Sequence, residues 1–132
     1  MTKRILVVDD REELLSLLRM LLEDEQYQVS VLQDGSLAVQ QISENPPDLV
    51  ILDLKLANVS GLDILETLRA QESAADIPVI VYTAAVMEAE TVNQVIASNP
   101  ARFINVSVLQ KPFELDTLLD RVQQVLGASE VG

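Results

Sequence analysis

Residues 48–53 read Asp48-Leu49-Val50-Ile51-Leu52-Asp53, an aliphatic run that follows Pro46-Pro47 and stops at an acid. Such a run is typical of a short strand buried on both faces, as strands of parallel sheets are. Asp53 then stands at the carboxyl end of its strand, the edge at which open α/β sheets bind ligands. An isolated aspartate there would be explained more simply as a cap of the following turn. The rest of the chain therefore decides whether Asp53 belongs to a site.

The length and composition of the chain predict a single domain. Its 132 residues, 48% of them hydrophobic, are enough to bury a core. We expect the domain to cover residues 1–127 and a C-terminal tail to cover residues 128–132. Since this tail has no room for an output domain, the chain is expected to act by presenting a surface, either as a stand-alone domain or as a piece trimmed from a longer protein.

The charge and the missing residue types argue against several classes of protein. Nine Lys and Arg residues against twenty-one Asp and Glu residues give a net charge of −12, which disfavours direct binding of nucleic acid. With no cysteine and no histidine, the chain offers no disulfide, thiolate ligand or imidazole base. The N-terminus does not resemble a signal peptide, and no apolar run has the length of a membrane span. We therefore expect a cytoplasmic protein without membrane insertion.

Hydrophobic periodicity predicts five strands that alternate with five helices. The predicted strands cover residues 4–10, 28–33, 48–53, 78–82 and about 105–110. The predicted helices run from 12 to about 26, from 36 to about 44, from 61 onward, through Val92 to Asn99-Pro100, and over 114–127. Because parallel strands need crossover helices, this order predicts an α/β fold. We expect a doubly wound five-stranded parallel sheet of flavodoxin-like order 2-1-3-4-5, with helices on both faces and the second strand at an edge.

Two of the predicted helices carry more detailed expectations. In the first helix, Leu14, Leu17, Leu18 and Leu21 are expected to form the buried stripe. In the second helix, Ser36 is expected to act as the N-cap. The expected apolar contacts of this second helix are Leu37, Val39 and Ile42.

The predicted topology brings polar residues together at one edge of the sheet. Asp9 and Asp10 end the first strand, Asp53 the third, Thr83 the fourth and Lys111 the fifth. Three carboxylates within a few ångströms either raise a pKa or bind a cation. Oxygen ligands without sulfur or imidazole suit Mg²⁺, with Asp10 and Asp53 as direct ligands and Asp9 binding directly or through water. A phosphoryl group fits such a pocket, and a carboxylate would then be the nucleophile.

Each of these residues also has a plain structural explanation. Asp9 and Asp10 suit the start of a helix, where the dipole favours acids, and taken alone this is as good an explanation as metal binding. Thr83 alone is more often a threonine that ends a strand, and Lys111 alone is more often a solvated surface charge. Their occurrence together on one edge favours a site.

Four motifs resemble the response-regulator receiver domain of two-component signalling, and the resemblance covers nearly the whole chain. The motifs are Val7-Val8-Asp9-Asp10, Leu52-Asp53 with Gly61 eight residues on, Thr83-Ala84, and Lys111-Pro112-Phe113. The resemblance implies that Asp53 takes a phosphoryl group from the phosphohistidine of a kinase. It also implies that Asp9 and Asp10 hold Mg²⁺ together with the Lys55 backbone carbonyl, that Thr83 and Lys111 bind phosphoryl oxygens, and that the Lys111-Pro112 peptide is cis.

The chain departs from this family in features that concern its output. Val108 stands where receivers usually carry a Tyr or Phe, and Thr83 and Lys111 are 28 positions apart, a longer spacing than the family leads one to expect. The excess is placed in residues 97–105, near the face through which receivers usually meet their targets. Phe103 is a candidate to replace the missing aromatic, but its distance from Lys111 favours a role as the anchor of a surface loop.

We therefore expect a Mg²⁺-dependent switch that is not an enzyme beyond its own phosphotransfer and autodephosphorylation. Its expected partners are a histidine kinase or phosphotransfer protein and a downstream protein target, and the protein itself is expected to be a monomer or weak homodimer. The main alternative is a binding module that keeps the receiver fold and signals without phosphate. A flavodoxin is disfavoured because Arg11-Glu12-Glu13 is not a phosphate loop. A phosphatase is disfavoured because position 55 is a lysine where a second acid is expected.

Overall fold

The computed structural model describes residues 2–56, 59–71, 74–83, 86–103, 105–110 and 115–126. Within these residues, five strands alternate with five α-helices. The strands are β1 (Arg4–Val8), β2 (Gln28–Leu32), β3 (Leu49–Asp53), β4 (Val79–Thr83) and β5 (Val106–Gln110). The helices are α1 (Glu12–Asp24), α2 (Ala38–Glu44), α3 (Gly61–Ala70), α4 (Val86–Ser98) and α5 (Leu115–Leu126). Among the described helices, none combines the length and the apolar character needed to cross a bilayer.

The five strands form one parallel sheet in the order β2-β1-β3-β4-β5, which confirms the predicted fold. β2 lies at an edge, as its alternating pattern predicted. The central strand β3 is buried along its whole length, as the aliphatic run at 49–52 required. Since all strands run in the same direction, their carboxyl ends lie at one edge of the sheet.

Side-chain alternation divides the core into two layers, one on each face of the sheet. On one face, residues such as Ile51, Ile80 and Tyr82 pack against leucines and a valine of α1 and α5. On the other face, residues such as Leu52 and Val81 pack against apolar residues of α2, α3 and α4. The predicted covering of both faces by helices is thus confirmed.

The buried stripe of α1 differs from the expected one. Leu15, Leu18 and Leu22 are buried, whereas Leu17 is 36% exposed. The leucine-rich segment offers two overlapping stripes with spacings of three and four, and periodicity alone does not choose between them. The choice is made by how α1 is rotated about its own axis when it packs on the sheet.

The start of α2 also differs from the expected one. Asp34, not Ser36, is the capping residue, and it caps a 3-10 turn that precedes α2: its Oδ1 accepts hydrogen bonds from the Ser36 amide at 3.0 Å and the Ser36 hydroxyl at 2.6 Å. The 3-10 turn covers Gly35–Leu37, and α2 begins only at Ala38. The turn leaves Leu37 49% exposed, so Leu37 is not the core contact that was predicted.

The connection between α4 and β5 is held by Phe103. α4 ends at Ser98, close to the predicted stop, and the carbonyl of Asn99 accepts hydrogen bonds from the amides of Arg102 and Phe103. The ring of Phe103 is 5% exposed and belongs to the core layer under α2, α3 and α4. Phe103 therefore anchors this connection from inside the core.

Candidate functional site

The carboxyl ends of β1, β3 and β4 bring the predicted acids and Thr83 to one edge of the sheet. Asp9 and Asp10 directly follow β1, whereas Asp53 and Thr83 are the last residues of β3 and β4. Asp53 lies opposite Tyr82 in the register of β3 and β4, so Thr83 lies one position beyond it. Lys111, predicted for the same edge, lies outside the described residues.

The three carboxylates form one cluster. Asp9, Asp10 and Asp53 each offer an oxygen, and these oxygens lie within 4.8 Å of one another. Asp9 is fully buried, Asp53 is 6% exposed and Asp10 is half-buried. A cluster of carboxylate oxygens with this spacing has the donor chemistry and the charge that suit a hard divalent cation such as Mg²⁺.

Asp9 is held by four hydrogen bonds from protein donors. Its Oδ1 accepts from the Arg11 amide at 2.7 Å and from Arg11 Nε at 3.2 Å. Its Oδ2 accepts from Arg11 Nη2 at 3.0 Å and from the Tyr82 hydroxyl. Burial by itself raises the pKa of Asp9, but the hydrogen bonds from Arg11 and Tyr82 outweigh it and leave that pKa below the ordinary value. Asp9 is therefore an anion with a fixed orientation.

Asp53 has contacts from two directions. Its Oδ1 accepts a hydrogen bond from the Lys55 amide at 3.0 Å, while its Oδ2 lies 3.6 Å from Arg11 Nη2. The side chain of Lys55 is exposed, and Lys55 forms a short bridge with Ser60 that closes the loop after β3. The main chain of this loop thus positions one oxygen of Asp53 and leaves the Lys55 ammonium in solvent.

Gly61 allows α3 to begin directly against the end of β3. Its amide donates to the carbonyl of Leu54 at 2.9 Å. A Cβ atom at this position would lie 2.5 Å from the carbonyl oxygen of Asp53. A glycine is needed here because backbone atoms occupy the space in which a side chain would begin.

Arg11 and Tyr82 are site residues that sequence reasoning missed. Arg11 directly follows the acid pair, and a cation next to two acids was a signal of possible pairing. Tyr82 precedes Thr83, and strand alternation together with the parallel register places its side chain on the face that carries Asp53. The strand order alone does not give this register, which places Asp53 opposite Tyr82.

Comparisons with known proteins agree with this fold. The family model of the response regulator receiver domain matches residues 5–123. The chain is 35% identical over 130 residues to the DNA-binding response regulator MtrA of Mycolicibacterium smegmatis, covering 98% of this chain and 53% of that protein. It is 36% identical over 119 residues to the transcriptional regulatory protein KdpE of Mycobacterium tuberculosis, covering 90% of this chain and 49% of that protein. The chain thus spans about half the length of these curated relatives.

Solved structures of similar proteins share this fold. The signal receiver domain of a LuxO repressor protein from Vibrio parahaemolyticus superposes with a TM-score of 0.79 at 29% identity, over 99% of this chain and 95% of that one. The response regulator TrrA from Thermotoga maritima, solved in complex with Mg²⁺ and BeF, superposes with a TM-score of 0.75 at 28% identity, over 95% of this chain and 100% of that one.

Proposed function

The chain belongs to the response regulator receiver domain family of two-component systems, and we propose that it is a phospho-accepting switch whose acceptor is Asp53. The donor would be the phosphohistidine of a histidine kinase or of a phosphotransfer protein in the cytoplasm. The observation that carries this proposal is the convergence of Asp9, Asp10 and Asp53, with oxygens within 4.8 Å of one another. Asp53 ends the central strand and remains 6% exposed, so an incoming group has access to a nearly buried nucleophile.

The residues that would hold Mg²⁺ are Asp10 and Asp53, with Asp9 bound directly or through water and with the backbone carbonyl of Lys55. The cation would neutralise the negative charge that gathers when a phosphoryl group meets three carboxylates. The chain itself contributes the orientation: the Lys55 amide fixes Oδ1 of Asp53, and the hydrogen bonds from Arg11 and Tyr82 fix Asp9. Transfer of this kind depends mainly on such positioning.

In the transfer step, an oxygen of Asp53 forms a bond to phosphorus as the bond between phosphorus and the donor's imidazole nitrogen breaks. The electron pair of the broken bond stays with the imidazole, which leaves as a neutral ring once it is protonated. Thr83, buried at the end of β4, and Lys111 would donate hydrogen bonds to the phosphoryl oxygens. Apart from this reaction and the later loss of its own phosphate, the chain would have no enzymatic activity.

The consequence of phosphorylation would be an altered protein-binding face near α4, β5 and α5. The target would be a downstream protein, and the chain would act as a monomer or weak homodimer. Its net charge of −12 argues against contact with nucleic acid by this segment. MtrA is named as a DNA-binding protein, but the chain matches only 53% of its length. We therefore propose no DNA binding for this chain.

The proposal is tested by incubation with acetyl phosphate and MgCl₂, followed by intact mass measurement. We expect the parent to gain the mass of one phosphoryl group and to lose it on treatment with hydroxylamine, as an acyl phosphate does. We expect no such gain in Asp53→Asn. Asp48→Asn is the matched control, because Asp48 binds the amide of Arg4 at 2.8 Å at the opposite end of β3. If the phosphoryl group persists in Asp53→Asn, the acceptor is wrong. If the parent incorporates none, the alternative of a binding module that signals without phosphate takes its place.

A further inference from the structure

Arg11 lies across the acid cluster. Its Nη2 is 3.0 Å from Oδ2 of Asp9 and 3.6 Å from Oδ2 of Asp53. Its Nε is 3.2 Å from Oδ1 of Asp9. One guanidinium thus bridges two of the three carboxylates that would hold the cation.

A guanidinium and a divalent ion would use the same lone pairs in this position. Arg11 already engages both oxygens of Asp9 and one oxygen of Asp53. A carboxylate oxygen that accepts a charge-assisted hydrogen bond is a weaker metal ligand, because part of its charge is already compensated. The ion would also meet the repulsion of the positive charge on Arg11 at close range.

We propose that Arg11 is an internal counter-ion of the acid cluster that competes with Mg²⁺, and that metal binding displaces its guanidinium into solvent. The proposal rests on the metal site described under Proposed function. The chain would then bind Mg²⁺ more weakly than its carboxylates allow.

The surroundings of Arg11 allow the side chain to leave without disturbing the fold. Its side chain is 51% exposed. Its backbone lies at the N-cap position of α1, with the extended angles φ −95° and ψ 107°. The Arg11 amide donates to Oδ1 of Asp9 at 2.7 Å, a bond that does not depend on where the guanidinium lies. The exposed acids Glu12 and Glu13, in the first turn of α1, offer the displaced cation other partners.

The first test compares Mg²⁺ affinities by calorimetric titration of the metal-free protein with MgCl₂. Arg11→Gln keeps a polar side chain and removes the charge. We expect it to bind Mg²⁺ about two- to fivefold more tightly than the parent, the range of an exposed ion pair. Arg19→Gln is the matched control because Arg19 lies on α1, pairs with Glu23 at 3.5 Å and carries the same charge away from the cluster. We expect the affinity of Arg19→Gln to equal that of the parent.

The second test follows Arg11 in the unmodified protein. The Nε–H resonance of Arg11, assigned by its loss in Arg11→Gln, is expected to shift during the MgCl₂ titration with the same midpoint as the amides near Asp53. A resonance that stays unchanged at saturating Mg²⁺ would show that guanidinium and ion coexist, and would overturn the proposal.

The outcomes of the first test separate this inference from the proposed function. Equal or weaker affinity in Arg11→Gln overturns the competition and leaves the metal site standing. An equal gain in Arg19→Gln also overturns it, since the effect would then come from overall charge. If neither the parent nor the variants bind Mg²⁺, the metal site itself is wrong, and the competition falls with it.

Discussion

Tyr82 connects the core of the sheet to the acid cluster. Its side chain is fully buried in the layer under α1 and α5, and its hydroxyl donates to Oδ2 of Asp9. Burial, followed by the hydrogen bond to Asp9 and the charges of Asp9 and Asp53, raises the pKa of Tyr82 well above its ordinary value. The folded protein therefore keeps this hydroxyl protonated under conditions in which the unfolded chain loses the proton.

This difference predicts a loss of stability at alkaline pH. Above about pH 10 the unfolded state releases a proton that the folded state retains, so the free energy of unfolding falls by up to about 1.4 kcal/mol per pH unit on account of Tyr82. Tyr82→Phe removes this contribution and should show a shallower slope, although it is less stable at neutral pH because Asp9 loses a donor. Urea unfolding between pH 8 and 11 measures both slopes. Equal slopes would contradict the buried, hydrogen-bonded state of Tyr82.

At the scale of elements, the junction of β3 and α3 depends on a close backbone approach at Gly61. A Cβ there would lie 2.5 Å from the Asp53 carbonyl oxygen and 2.6 Å from Leu54 Cα. At Gly35 the atoms in the way are side-chain ends, Leu56 Cδ1 at 2.6 Å and Val59 Cγ1 at 2.9 Å. Backbone at a strand end has little freedom to move, whereas methyl groups can rotate away.

The two glycines therefore predict different costs for the same substitution. Gly61→Ala should destabilise the fold by about 1–3 kcal/mol, the usual cost of overpacking. Gly35→Ala should cost less, because the neighbouring side chains can adjust. Chemical denaturation of both variants beside the parent gives the comparison. A larger loss at Gly35 than at Gly61 would be incompatible with the close approach of α3 to β3.

A second element-scale feature is the connection that Phe103 anchors between α4 and β5. Phe103→Ala is expected to cost about 3–5 kcal/mol, because it removes a large buried ring and leaves a cavity. Met87→Ala, in the first turn of α4 where Met87 is 79% exposed, should stay within about 0.5 kcal/mol of the parent. Thermal and denaturant unfolding measure both. A loss below about 1 kcal/mol in Phe103→Ala would mean that the ring is not a core residue.

At the scale of the whole molecule, the excess of acidic residues causes self-repulsion. The net charge is −12, and the ion pairs seen among the described residues involve Arg11 and Arg19. Salt screens repulsion between exposed acids over a distance of about 10 Å at 0.1 M. The compact state gains more from this screening than the unfolded chain, in which the charges are farther apart.

We therefore predict that KCl raises the thermal midpoint at pH 7. The rise between low ionic strength and about 0.15 M should become much smaller near pH 4.1, the pI expected from the sequence, where the net charge vanishes. A monovalent salt is used so that the acid cluster is not filled by a divalent ion. Scanning calorimetry at both pH values measures the effect. A midpoint that falls with KCl at pH 7 would show that favourable ion pairs outweigh the repulsion.

Strand order, the covering of both faces and the position of Asp53 at a strand end could be predicted from the sequence. Aliphatic runs such as 49–52 can bury both of their faces only between two layers of helices, and the alternation of strands and helices leaves few possible topologies. The clustering of Asp9, Asp10 and Asp53 follows from that order, because parallel strands end at one edge. These properties depend on the local pattern of apolar and polar residues and on the order of the elements, both of which can be read from the sequence.

Other features were decided by the tertiary structure alone. The choice between two leucine stripes in α1 depends on the rotation of the helix about its own axis, and the cap at Asp34 depends on a turn that a residue pattern does not specify. The contact of Tyr82 with Asp9 and that of Arg11 with Asp53 join residues that are far apart in the chain, and they depend on side-chain directions that exist only once the sheet has formed. Sequence patterns describe periodicity along the chain. Ion pairs and the buried face of a helix depend instead on how separate elements are placed relative to one another.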